Sequence, residues 1–241
     1  MGGGGNAPVR GLGTLINTAT VIGGGVLGLI AGHRISQSIR TIVVQVIGMA
    51  TLVMVIESVM DTHNIVFPLV GMALGAIVGE LLRIEERLES VGAFLRRRFA
   101  RSADGDDEST FVQGFVTATL LFCIGPMTIL GAIEDASGRF PQIYIIKGTL
   151  DGFMSVIFVA AYGIGAAFSA VSVFVVQGLL TLFGTWLDAL LDDRMRTELF
   201  AAGGFAVLAI GINLLEIKKI KLGSMLPGLI VTPVLVAIFA V

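Results

Sequence analysis

The residues able to do chemistry in this 241-residue chain are the few polar ones that interrupt its apolar runs. Glu80 follows Gly71, Gly75 and Gly79, whose spacing of four aligns one small-residue face suited to close helix approach. A carboxylate held there could bind a cation or carry a proton. It could equally snorkel to the nearest interface and pair with Arg83. Asn17 stands between Thr14 and Thr18 near the start of the first apolar run. A buried amide needs partners and can bind a solute's polar groups, whereas a threonine often bonds its own helix backbone. Glu57, Glu134, Asp135 and Asp151 lie near the ends of other runs. Together they could draw cations or protons to one mouth, or be ordinary interface charge. Asp151 in particular could cap a helix that opens at Gly152. Gly125–Pro126 sits in the middle of "GFVTATLLFCIGPMTILGAIED". Proline lacks an N–H and its ring clashes with the carbonyl of Phe122, so a helix here is kinked or broken. Its freed backbone groups could face a substrate where protein or water surrounds them.

The elements that must position these groups follow from composition. The chain is 55% hydrophobic and 14% charged, with a mean hydropathy of +0.92. Residues 152 to 187 contain no Asp, Glu, Lys or Arg. As one helix they would measure roughly 54 Å against a hydrocarbon core of about 30 Å. The segment must therefore fold back, and Ser169–Ser172 is the natural turn. A net charge of −2 gives no basis for nucleic-acid binding. The single cysteine, Cys123, excludes an intramolecular disulfide and a cysteine zinc cluster. No HExxH, GxSxG or Walker pattern is present, and nothing points to a cofactor or a metal. The glycine-rich start "MGGGGNAPVRG" reads as a flexible leader.

Hydropathy predicts an all-α polytopic membrane protein of about eight spans. They run near 12–32, 41–60, 64–83, 111–133, 149–168, 172–190, 199–216 and 224–241. Between the third and fourth, "IEERLESVGAFLRRRF" gathers Ile84, Leu88, Val91, Leu95 and Phe99 on one face, as a helix lying in the interface does. The loop "ARSADGDDEST" after it has nothing to bury. With alternating spans, eleven Lys and Arg fall on the side of that loop and five on the other. The loop side is then cytoplasmic and both termini are external.

Sliding the chain over itself by about 133 residues aligns "GTL" at 13–15 with 148–150, "VVQ" at 43–45 with 175–177, and "LLRIEE" at 81–86 with "LLEIKK" at 214–219. The register predicts an internal duplication and sets Asn213 opposite Glu80. It divides the chain into a first repeat over 1–110, a connecting span with the Gly-Pro break over 111–147, and a second repeat over 148–241. The repeats are parallel if the 111–133 segment spans and inverted if it re-enters.

The stretches "GTLINTATVIGGGVLGLIAG", "GAIVGELL", "FVQGFVTATLLFCIGPMTILGAIED", "LDGF" and "GINLLEIKKIKLGSMLPGL" carry a resemblance over most of the chain. It resembles the YqgA/YdfK family of bacterial inner-membrane proteins, the domain-of-unknown-function 554 family. That resemblance implies an inner-membrane location and a transport role without a defined substrate. The family pattern "EGFVTAS" reads "QGFVTAT" here, so Gln113 stands where an acid is usual.

The favoured function is a transporter or permeation pathway for a small solute or ion, without enzymatic activity. Its site is expected where Gly125–Pro126, Glu80 and Asn17 line one polar cavity, with Asn213, Thr18, Asp151, Asp135 and Glu57 as further candidates. Its partners would be the lipid bilayer, the solute and, through the small-residue faces, a second copy of the chain. The alternatives are a membrane scaffold or sensor that docks through residues 84–110, and a membrane enzyme, for which no nucleophile or metal set is evident.

Overall fold

The computed structural model describes residues 9–32, 36–99 and 108–239. The glycine leader, His33 and most of the loop after Phe99 lie outside the described residues. All regular elements among the described residues are helices: α1 (Leu12–Gly32), α2 (Gln37–Met60), α3 (Val66–Leu81), α4 (Ile84–Phe99), α5 (Glu108–Cys123), α6 (Pro126–Ala136), α7 (Gln142–Tyr162), α8 (Ile164–Ala167), α9 (Ser169–Leu182), α10 (Gly184–Leu190), α11 (Asp193–Leu214), α12 (Leu222–Met225) and α13 (Gly228–Phe239). Six spans are long and apolar enough to cross a bilayer alone, counting α8 with α9 and α12 with α13. Two bent pairs, α3 with α4 at 57° and α5 with α6 at 60°, raise the number to as many as eight if each contributes one span. The chain is a polytopic helical membrane protein.

Glycine decides which helices touch. α1 and α7 run in the same direction, with Asn17 beside Asp151 and Val21 beside Ser155. A Cβ on Gly24 or Gly28 would overlap the carbonyl of Gly152 or Val156, so only glycine permits this approach. α2 packs antiparallel on α11, where Gly48 faces Leu215 and Gly204 faces Val59. α3 packs antiparallel on α13 through Gly71 and Gly75, which meet Thr232 and Gly228, and on α12 through Gly79, which meets Ser224. The bundle thus has a first end, where α1, α3, α7 and α11 start, and a second end opposite it.

The α5–α6 pair is a broken span and not a re-entrant loop. Its α5 starts at the second end, where Gly114 meets Tyr162. Its α6 finishes at the first end, where Asp135 bonds the amide of Gly13. Gly125 takes φ 147° at the break, a conformation natural only to glycine. Pro126 then opens α6 at a position that needs no N–H donor. The α3–α4 bend differs in kind. Arg83 turns the chain at φ 51° into α4, which lies across the second end with Gly92 on Phe115 and Phe99 on Phe168.

Three boundaries depart from the sequence reading. α7 starts at Gln142, about two turns earlier than hydropathy places it, because Lys147 enters the helix paired with Asp151. The boundary between 147 and 148 therefore falls inside a helix. The reversal after α7 occurs at Gly163, not at Ser169–Ser172, since Gly163 reaches φ 73° without a Cβ penalty. The ends of α3 and α11 share one turn: Leu82 N–H bonds Val78 O and Arg83 N–H bonds Glu80 O, while Leu215 N–H bonds Gly211 O and Glu216 N–H bonds Asn213 O. Arg83 and Glu216 both hold positive φ, 51° and 56°.

Candidate functional site

Several acids near the helix ends are engaged in capping. Asp135, on α6 and 1% exposed, accepts from Gly13 N–H at 2.9 Å, Thr14 N–H at 3.1 Å and Thr14 Oγ1 at 3.1 Å. It thereby satisfies the first free amides of α1 and complements the positive end of the helix dipole. Glu134 does the same for α7 through Ile143 N–H at 2.8 Å. Glu198, fully buried on α11, accepts from His63 and Asn64 N–H at 2.9 and 3.0 Å and from Thr62 Oγ1, tying down the turn before α3. Glu85 accepts from Gly223 N–H at the start of α12. Glu134 and Asp135 are therefore not free charges at a mouth: each holds a helix start contributed by another part of the chain.

Asp151 is different. It lies on the third turn of α7 and caps nothing, contrary to the helix-start reading. Its Oδ2 accepts from Lys147 Nζ at 2.6 Å and from Asn17 Nδ2 at 3.0 Å. Asn17 Nδ2 also donates to Gln177 Oε1 on α9 at 3.1 Å. All four side chains are buried, with Asn17 and Gln177 at 0% exposure. Along α7, Lys147 and Asp151 sit about 8 and 14 Å from its start. The amide orientations are fixed: turning Asn17 over would set its oxygen against the Asp151 carboxylate. This leaves Asn17 Oδ1 and Gln177 Nε2 without partners. Towards the first end, Thr14 and Thr181 share a hydrogen bond at 3.1 Å. Arg10 closes over them by donating to the Thr181 and Leu182 carbonyls at 3.1 and 2.6 Å.

Both halves of the broken span, α5 and α6, pack on α7, which carries Lys147 and Asp151. Thr128 Oγ1 returns a donor to the Phe122 carbonyl at 3.4 Å, and Tyr144 OH donates to the Thr128 carbonyl at 2.8 Å. The Tyr144 ring fits between Gly13 and Gly131, where any Cβ would overlap it. Gly125 and Pro126 are half-buried.

Glu80 does not join Asn17 and the break in one cavity. It occupies the last turn of α3 at the second end, with its side chain 54% exposed, paired with Lys221 and accepting from Ser224 Oγ at 3.1 Å. The helix ends one residue later, so the carboxylate reaches the interface without crossing apolar packing. Asn213 clamps the loop after α11, donating to Ile220 O at 2.9 Å and accepting from Ile220 N–H at 2.7 Å. Thr18 bonds its own helix at Thr14 O, 2.8 Å away. Glu57 lies on α2, and its side chain is outside the described residues.

A cavity of about 970 Å³ opens at the second end between α4, α5 and the loop after α11. Glu85, Glu86, Glu89, Glu108 and Glu216 line it with Lys218 and Lys219, and it reaches Thr117 and Tyr162. Gln113 is on its wall. Burial pushes the Glu85 carboxyl above the usual carboxylate range, against the opposing pull of Gly223 N–H. The hydrogen bond to Glu80 raises the Lys221 ammonium above its ordinary value.

Lys147, Gln177 and Glu198 escape the sequence reading as site or core residues. Hydropathy sets Lys147 among the loop charges, though Asp151 one helical turn away signals an ion pair able to enter a span. Gln177 is the one amide side chain in the uncharged run 152–187, and that isolation is the signal the sequence offers.

The chain matches the family described as "Protein of unknown function (DUF554)" over residues 12–237. It is 29% identical over 228 residues to the uncharacterized membrane protein YdfK of Bacillus subtilis (strain 168), covering 93% of this chain and 95% of that one. It is 29% identical over 219 residues to the uncharacterized protein YqgA of Escherichia coli (strain K12), covering 91% and 93%. No solved structure matches. With a match that begins in α1 and ends in α13, the chain belongs to the DUF554 family of proteins of unknown function.

Proposed function

We propose that the chain carries a small solute or ion across the bacterial cell membrane, working from the cluster of Asn17, Lys147, Asp151 and Gln177. One observation carries the reading: an ion pair and two amides are buried inside the bundle, beside a broken span, with two amide atoms unpartnered. Packing alone does not call for such a group, because a buried ion pair contributes little net stability compared with apolar residues of the same volume. Ionisable groups inside spans characteristically serve ion or substrate pathways. Towards the first end, Arg10 with Thr14 and Thr181 closes over the cluster.

The same proposal includes duplicated, parallel halves. Asn17 meets Asp151 and Val21 meets Ser155 at a separation of 134, close to the repeat offset. The matched turns at Arg83 and Glu216 add to this. With Lys147 inside a span, basic residues outside divide eleven to four, supporting a cytoplasmic second end and external termini. The test is flux through purified protein in liposomes against a panel of labelled amino acids, organic acids, small amides and monovalent ions. Uptake above empty liposomes, lost in Asp151→Asn, is the expected result. Failure of the whole panel to move would overturn the reading.

A further inference from the structure

Resting on the transport reading, the geometry points to a substrate class: we infer that the Asn17–Lys147–Asp151–Gln177 cluster binds a small zwitterion bearing both an ammonium and a carboxylate. The unused hydrogen-bonding capacity of the site is paired. Asn17 Oδ1 is a buried acceptor without a donor, and Gln177 Nε2 is a buried donor without an acceptor. Beside them, Asp151 Oδ1 receives no bond among the described residues, and Lys147 Nζ has donated to Asp151 alone. The site therefore offers two acceptors, one of them anionic, and two donors, one of them cationic. An ammonium matches Asn17 Oδ1 and Asp151, and a carboxylate matches Gln177 Nε2 and Lys147.

Charge balance selects the same class. Lys147 and Asp151 together carry no net charge, and both are buried. A lone cation or anion would leave an uncompensated charge in the bundle, which is strongly unfavourable. A zwitterion parts the ion pair and replaces each half with an opposite charge, so the site stays neutral throughout.

The test is equilibrium dialysis of the purified full chain with labelled glycine, alanine and β-alanine. Acetate, methylammonium, acetamide and glycine betaine, which has a carboxylate but no N–H, serve as comparison probes. Binding of at least one of the three zwitterions is expected, at least tenfold tighter than any comparison probe. Gln177→Leu, checked for unchanged elution and helix content, should weaken that binding at least tenfold. The inference is overturned if none of the three binds, if acetate or methylammonium binds as tightly, or if folded Gln177→Leu binds unchanged. The probe panel on the unaltered protein decides even where the variant does not fold. Flux of a lone ion in liposomes, with no zwitterion moved, would remove this inference and leave the transport reading standing.

Discussion

Removing either half of the Lys147–Asp151 pair should cost stability with opposite pH slopes, while removing both should cost little. The pair is short, 2.6 Å, and its side chains are 7% and 10% exposed, so water cannot replace a lost partner. In Lys147→Met the stranded carboxylate either stays charged or takes a proton. Protonating a carboxyl of ordinary pKa at pH 7 costs about 4 kcal/mol, which caps the loss. The native state then binds a proton that the unfolded state lacks, so the deficit shrinks by about 1.4 kcal/mol per unit as pH falls towards 4. In Asp151→Leu the stranded ammonium sheds a proton instead, at a cost of about 5 kcal/mol at pH 7, and the deficit shrinks as pH rises. The double variant leaves no charge, and Asn17 keeps its bond to Gln177. It should lie within about 1 kcal/mol of the parent, or above it. Reversible unfolding in mixed micelles, followed by circular dichroism from pH 5 to 9, measures all three. Single losses below about 1 kcal/mol, additive losses, or parallel pH slopes would refute the reasoning.

Gly24→Ala should disrupt the α1–α7 contact and lower the melting temperature, because the added Cβ meets the Gly152 carbonyl. Gly23→Ala, with nothing within 4 Å, should be neutral or stabilising by up to about 1 kcal/mol; equal effects in a melting assay would show that the packing is misplaced. Asp135→Ala removes the acceptor of Gly13 and Thr14 N–H and should cost about 1–3 kcal/mol in the same assay, with an unchanged melt counting against the cap. A cysteine introduced at Ala103 should react with a membrane-impermeant maleimide only after cells are opened, and labelling of intact cells would reverse the orientation.

The sequence by itself determined the apolar runs, the amphipathic character of α4 and the break at Gly125–Pro126. These follow from local properties: hydropathy over one bilayer thickness, helical periodicity, and a proline that lacks an N–H. It also marked Asn17, Asp135 and Asp151 as notable. What each does was decided by helices that are distant in the chain. Asp135 reaches α1 across 122 positions, Asn17 reaches Gln177 across 160, and Glu198 reaches the α2–α3 turn across 134 to 136. No local pattern distinguishes a carboxylate that caps a foreign helix from one that waits for a ligand. That distinction depends on which glycine faces let which helices approach, and only the packed bundle supplies it. Glu80 shows the reverse case. Its glycine-rich face promised an interior acid, but its place in the last turn of α3 puts the carboxylate at the surface beside Lys221.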